Sequence, residues 1–293
     1  MRKSLGLLLS FCLASCAAQP DSIVVIQENT IPRGCRCYRT IMDFDYSQPL
    51  AAGEAVDEAY FEEVAFLGDS RAVELIDYHV FEKTYVLAST GLSINQWSLK
   101  KVISNPNDPT QKVTLLEALD QIEVKACYLI VGLNELGWIY PEIFEQKLAV
   151  LIDQVREKQP DADLIIQMLY PISERGIAKM SDASMEQIGV YNEIFKKLAV
   201  EKQVYLLDPT EVVVDAAGQL DEQLTDDGIH LNQQGFQRWK GYVMTHTIRK
   251  ELNAKMECID PDGAVDHRLS EPGQAECEEC GGSDGTAEPE SGS

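Results

Sequence analysis

Residues 63–91 read EVAFLGDSRAVELIDYHVFEKTYVLASTG. Glu63–Gly68 is a short apolar run closed by glycine, which suits a buried strand. Ala72, Leu75, Ile76, His79 and Val80 then recur at helical spacing, so Arg71–Phe81 is predicted to be a helix. Thr84–Ala88 is a second apolar run. The same alternation continues downstream. Helices are predicted at Thr114–Ile122, Pro141–Lys158, Ser184–Lys202 and Asn232–Leu252, with Pro141 at a tolerated first position and Asn232 as an N-cap. Strands are predicted at Ala126–Val131, Leu164–Leu169 and Val204–Leu207. Near-continuous apolar strands that alternate with helices imply a parallel sheet covered on both faces, a three-layer α/β/α architecture. A five-stranded sheet in the flavodoxin-like order 2-1-3-4-5 makes strands one and three neighbours. Ligands in such sheets bind beyond the carboxyl ends of the strands.

The flanks differ from this middle region, 57–252. The chain has 293 residues, with 25 Lys and Arg against 48 Asp and Glu, a formal net charge of −23. Nucleic-acid binding is thereby disfavoured, because phosphate neutralisation needs clustered cations. A polybasic membrane surface is disfavoured on the same ground. Arg2 and Lys3 precede an apolar stretch from Leu5 to Leu13. Nine helical residues reach only about 14 Å, less than half a hydrocarbon core, so residues 1–15 are expected to be a signal peptide and not a spanning helix. Leu13-Ala14-Ser15-Cys16 resembles a bacterial lipobox. That resemblance implies cleavage before Cys16, lipidation of its thiol, and anchoring to the membrane on its extracytoplasmic face. Ordinary signal cleavage after Ala17, Ala18 or Gln19 is the alternative. Residues 16–56 are expected to be a tether, and residues 253–293 an acidic, Gly/Pro/Ser-rich tail without a core of its own. From Met256 onward it holds 11 acidic residues and one basic residue, Arg268.

Four polar segments follow strands or precede the last helix: Gly68-Asp69-Ser70-Arg71, Ser89-Thr90-Gly91, Gly132-Leu133-Asn134-Glu135, and Asp226-Asp227-Gly228-Ile229-His230-Leu231-Asn232. A serine nucleophile needs a general base, and histidine is the default near neutral pH. Of the four histidines, His267 lies in the acidic tail and His246 deep in the last helix. His79 sits nine residues along the first helix, about 13 Å from Ser70. His230 alone stands at a loop–helix junction on the strand-end side. Asp227, three residues earlier, can fold back onto its ring through Gly228, with Asp226 as the second candidate. The Ser70 N–H, the Gly91 N–H and the Asn134 amide are candidate donors to an oxyanion.

These four blocks in this order resemble the SGNH hydrolases, the GDSL lipase/acylhydrolase family, over residues 63–250. The resemblance implies Ser70 as nucleophile, His230 as base, Asp227 as its orienter, and Gly91 and Asn134 beside Ser70 in the oxyanion hole. It implies a serine esterase that needs no metal or cofactor. Two positions depart from the pattern: Arg71 stands where Leu is usual and Glu135 where Asp is usual. Both are expected to alter charge at the site mouth. Trp138 and Tyr140 are either a stacking wall for substrate or loop packing, with packing favoured. Trp97 is equally open. No Gly-x-Ser-x-Gly elbow, Walker A, GxGxxG or HExxH pattern occurs. The expected substrate is a small ester or acylated glycan, O-acetyl groups on envelope polymers included. An acyltransferase, a lysophospholipase or thioesterase, and a non-catalytic surface-binding lipoprotein are the rivals.

The cysteines are less informative. Cys127 opens a buried strand and reads as a packed free thiol. Cys35-x-Cys37 and Cys277-x-x-Cys280 are candidate disulfide partners, or less plausibly zinc ligands, while Cys258 has no obvious mate.

Overall fold

The computed structural model describes residues 36–41, 44–180, 184–248 and 254–259. In chain order the elements are β1 (Arg36–Ile41), β2 (Val64–Gly68), α1 (Ser70–Asp77), β3 (Tyr85–Ala88), β4 (Ile103–Ser104), β5 (Lys112–Val113), α2 (Leu115–Leu119) and β6 (Ala126–Ile130). They continue with α3 (Pro141–Lys158), β7 (Asp163–Gln167), α4 (Glu174–Ile177), α5 (Met185–Lys202), β8 (Tyr205–Leu207), α6 (Thr210–Val213), α7 (Gln233–Thr245) and β9 (Ala254–Ile259). The central sheet is parallel, in the order β3-β2-β6-β7-β8. Counted within that sheet this is the order 2-1-3-4-5, so the α/β/α expectation holds.

Period-two alternation sends successive side chains of each strand to opposite faces. Leu67, Leu129, Ile166 and Leu206 point to the face covered by α2, α3 and α5, where Leu116, Leu148, Ile152 and Phe195 meet them. Phe66, Tyr128, Ile165 and Tyr205 point to the other face, under Leu75 of α1 and Phe236 and Trp239 of α7. Each fully buried Leu or Phe of these layers contributes roughly 1.5–3 kcal/mol relative to exposure. Close approach of β2 to β6 explains Gly68: a Cβ there would lie 2.1 Å from the Ile130 carbonyl oxygen. The N-caps at Ser184 and Asn232 accept from the N–H of Gln187 (3.1 Å) and Gly235 (3.0 Å), as capping chemistry requires.

Three boundaries move. Residues 44–56, expected in the tether, are stitched to the sheet domain: the Leu50 N–H donates to Leu206 O (2.8 Å), Gly53 N–H to Thr245 O (2.9 Å) and Val56 N–H to Met244 O (2.9 Å). Phe44 and Tyr46 pack their rings at a tilt against Tyr205, with centroids at 4.8 and 5.2 Å. The last helix stops at Thr245, short of the expected Leu252. The small antiparallel pair β4–β5 lies in a stretch for which the sequence predicts no element.

The chain divides into two compact units, Phe44–Ile248 and the terminal stretches. Of the latter, β1 and β9 pair antiparallel, with Cys37 opposite Cys258 in the register. The stretch expected to be a tether and the stretch expected to be a tail without a core of its own thus each contain a strand, because backbone pairing supplies what their side-chain patterns do not advertise. The expected signal peptide, Cys16, Cys35, Cys277 and Cys280 lie outside the described residues.

Candidate active site

Ser70 opens α1 directly after β2. Asp69 caps the helix, its carboxylate accepting from the Arg71 N–H (3.0 Å). The first N–H groups of a helix have no partner within it, so the Ser70 N–H faces outward from a helix N-terminus. The Ser70 Oγ lies 2.8 Å from His230 Nε2, and His230 Nδ1 lies 2.8 Å from Asp227 Oδ2. Hydroxyl, imidazole and carboxylate form one continuous chain, although 160 residues separate Ser70 from His230.

The turn that makes this possible is local. Gly228 has φ +88°, a left-handed conformation that an L side chain rarely takes. Its N–H donates to Thr225 Oγ1 (2.8 Å). The other Asp227 oxygen accepts from the N–H groups of Ile229 and His230, both at 2.8 Å. Burial pushes the Asp227 carboxyl up, but the His230 ring and these two N–H groups outweigh it and hold the group below the ordinary carboxylate range. Asp226, the second candidate, is exposed, and its carbonyl is taken by Arg175 Nη1 (3.0 Å).

Asn134 sits in a 3₁₀ turn after β6, entered through Gly132 at φ +104°. Its Nδ2 donates to Asp69 Oδ2 (3.2 Å) and to Leu92 O (3.4 Å). The amide is thereby fixed between the residue before Ser70 and the residue after Gly91. Gly91 has φ +70° and open space where a Cβ would stand. Burial pushes the Asp69 carboxyl up to about 6, against the pull of the Arg71 charge and N–H.

Two sequence expectations are corrected. Glu135 is 1% exposed and does not reach the site mouth. Its two oxygens accept from the N–H groups of Ile94 (2.7 Å) and Gly132 (3.1 Å), so it braces the Asn134 turn against the Gly91 loop. Burial raises its carboxyl to about 7. Arg71 is 3% exposed and likewise turns inward. A side chain just after a strand end can fold under the sheet edge as readily as over it, and spacing does not distinguish the two. Trp138 is half-buried against the core and meets Phe144 edge-on, with centroids at 6.4 Å, in agreement with packing. Trp97 is buried in the same core. Tyr140 is 62% exposed. Cys127 is a buried free thiol, raised to about 12 by burial.

One group of residues had no signal in the sequence. The segment around α4 packs backbone to backbone on the histidine turn. The Ser173 N–H donates to Gly228 O (2.9 Å), and a Cβ on Gly176 would lie 2.2 Å from that same oxygen. Lys179 Nζ donates to Asp227 O (2.8 Å), and Arg175 Nη2 pairs with Glu222 (2.6 Å). An open recess of about 610 Å³ near Gly53, Arg238, Tyr242 and His246 shares no lining residue with this cluster. Among the described residues no three His, Cys, Asp or Glu side chains form a group that could hold a metal ion.

Residues 66–238, more than half of the chain, match the family model of the GDSL-like lipase/acylhydrolase family. The chain belongs to that family. It is accordingly a serine hydrolase of ester bonds, with the α/β fold of the family. No curated protein matches the chain. Solved structures similar to this hydrolase include a GDSL-like lipase from Bacteroides thetaiotaomicron at 13% identity, which covers 65% of this chain and 89% of its own with a TM-score of 0.48. A carbohydrate acetylesterase from Sinorhizobium meliloti is 14% identical, covers 62% of this chain and 95% of its own, and has a TM-score of 0.42. A peptidoglycan O-acetylesterase is 17% identical over 55% of this chain and 45% of its own, also at 0.42.

Proposed function

We propose that the hydrolase cleaves small carboxylic esters through a Ser70–His230–Asp227 triad. The observation that carries the proposal is the hydroxyl–imidazole–carboxylate chain, with both links at 2.8 Å. Ser70 Oγ attacks the ester carbonyl carbon, its proton passes to His230 Nε2, and the carbonyl electron pair moves to oxygen. The Ser70 and Gly91 N–H groups stabilise that oxyanion, joined by the Asn134 amide N–H that leaves its long 3.4 Å bond to Leu92 O. Collapse expels the alcohol, which takes the proton back from His230 and leaves an acyl-serine. Water then gives its proton to His230 and attacks the acyl carbon. The acid is released and the proton returns to Ser70. Asp227 keeps Nδ1 protonated and stabilises the imidazolium.

The substrate class follows from the N-terminal sequence. An exported chain held at Cys16 by a lipid meets glycans and envelope polymers, so O-acetyl groups on such polymers are the proposed substrates. The decisive experiment is fluorophosphonate labelling of wild type and Ser70→Ala, followed by hydrolysis of acetyl and longer esters with and without sugar acceptors. Label on wild type alone, with free acetate as product, supports the proposal. Label retained by Ser70→Ala overturns the nucleophile. Acylated sugar as the main product overturns hydrolysis in favour of transfer.

A further inference from the structure

The residue after the nucleophile is the least expected part of the site. Arg71 is nearly inaccessible to solvent, and its guanidinium is used twice. Nη2 donates to the carbonyl oxygen of Ile229 (3.2 Å), and Cζ lies 3.9 Å over the centroid of the buried Tyr170 ring. Ile229 immediately precedes His230, as Ser70 immediately precedes Arg71. One side chain therefore spans from the residue beside the hydroxyl to the residue beside the imidazole, parallel to the 2.8 Å Ser70–His230 link. Tyr170 follows β7, so this single group draws together the segments after β2, after β7 and before α7.

Its satisfaction is incomplete. Arg71 Nε is buried with no hydrogen-bond partner, and so is Glu74 Oε2 one helical turn away. Leaving a buried donor unpaired is costly, and native structures rarely do it without a compensating demand. Here the demand is orientation: the Ile229 carbonyl and the Tyr170 face set the plane of the guanidinium. The charge has a use as well, since it attracts the carboxyls of buried Asp69 and part-buried Glu74 against the cost of their burial. A lysine would place a point charge there but lacks the planar fork that both contacts exploit.

We propose that Arg71 is a positioning residue that clamps the serine-bearing helix to the histidine-bearing loop and so holds the hydroxyl within hydrogen-bond reach of the imidazole. This rests on the triad proposed above. The test measures the second-order rate of fluorophosphonate inactivation together with kcat and KM on a small ester. In the labelling step the Ser70 Oγ–P bond forms, the P–F bond breaks, fluoride leaves and the hydroxyl proton passes to His230. Arg71→Met is expected to slow both labelling and kcat by roughly 10–100-fold, with KM within about threefold, because a misplacement near 1 Å costs on that order. Arg71→Lys restores the charge without the fork and recovers about a tenth of the wild-type rate or somewhat more. Tyr170→Leu, which removes only the ring face, slows labelling by about three- to tenfold.

If Arg71→Met does not fold, the Lys and Tyr170→Leu variants carry the same comparison. A wild type that takes label, beside Arg71 variants that label at the wild-type rate or lose only in KM, overturns the clamp alone. A wild type that takes no label overturns the triad, and the clamp with it.

Discussion

Replacing Gly176 by alanine is expected to disable this hydrolase from a position that carries no chemistry. A Cβ at Gly176 would stand 2.2 Å from the Gly228 carbonyl oxygen, 2.7 Å from its carbon and 3.0 Å from Ile229 Cγ1. Ordinary contact begins near 3.4 Å, so the two backbones must part by about an ångström. Neither is free to yield. The Ile177 N–H donates to Ser173 O (2.9 Å) and holds the α4 turn, and the Gly228 N–H is pinned to Thr225 Oγ1 (2.8 Å). The displacement therefore passes along the turn to His230. A 2.8 Å bond to Ser70 opened by an ångström is no longer a hydrogen bond. Such a misplacement costs roughly 100-fold in rate, about 2.7 kcal/mol of barrier. Overpacking should lower stability by about 1–3 kcal/mol, so the variant still folds at room temperature. The assay compares kcat and fluorophosphonate labelling with thermal melting. Gly189→Ala is the control: that glycine is on the exposed side of α5 with nothing within 4 Å of a Cβ. It should keep full activity and gain about 0.5–1 kcal/mol. A Gly176→Ala enzyme whose kcat stays within threefold of wild type would refute the reasoning.

Three further outcomes are expected. Asp227→Asn keeps an oxygen for the Ile229 and His230 N–H groups but turns an amide N–H toward Nδ1, which forces the wrong imidazole tautomer. The kcat should fall about 10⁴-fold at nearly unchanged KM, and steady-state kinetics that show less than a tenfold loss would count against the role of Asp227. Asn134→Ala should lower kcat by roughly 10²–10³, again with little change in KM. A loss confined to KM would remove Asn134 from the oxyanion hole. Burial and the nearby Asp227 charge raise Glu74 to about 8, so the folded state keeps a proton that the unfolded chain gives up from about pH 4.5 upward. Stability from this group is full in acid and declines as pH rises toward 8. Glu74→Gln should therefore flatten the fall in Tm between pH 5 and 8, and calorimetric slopes identical to wild type would show that Glu74 does not titrate as described.

The placement of elements was largely legible because it depends on local physics. Pro141–Lys158 forms with the expected bounds, and Ser184 and Asn232 cap the helices that they precede. Short near-continuous apolar runs give strands where both faces are covered. The Asp227–His230 pair was also accessible, since three residues and one left-handed glycine suffice to close it. Polarity points Arg71 and Glu135 toward solvent, whereas both are buried. Each turns inward to partners 41 or 158 residues away, Ile94 and Ile229, that no local pattern exposes. The early part of the domain, 44–56, resembles a tether in sequence for the same reason: its bonds run to Leu206, Met244 and Thr245.

Sequence alone determined the alternating architecture, the strand ends where chemistry collects and the family to which the hydrolase belongs, because periodicity and short motifs are written within a few residues of one another. Tertiary structure decided which polar groups face the substrate side and which brace the loops from beneath, and it brought Gly176 against Gly228. Those outcomes depend on distances between segments far apart in the chain, which are set only when the two layers of helices close on the sheet.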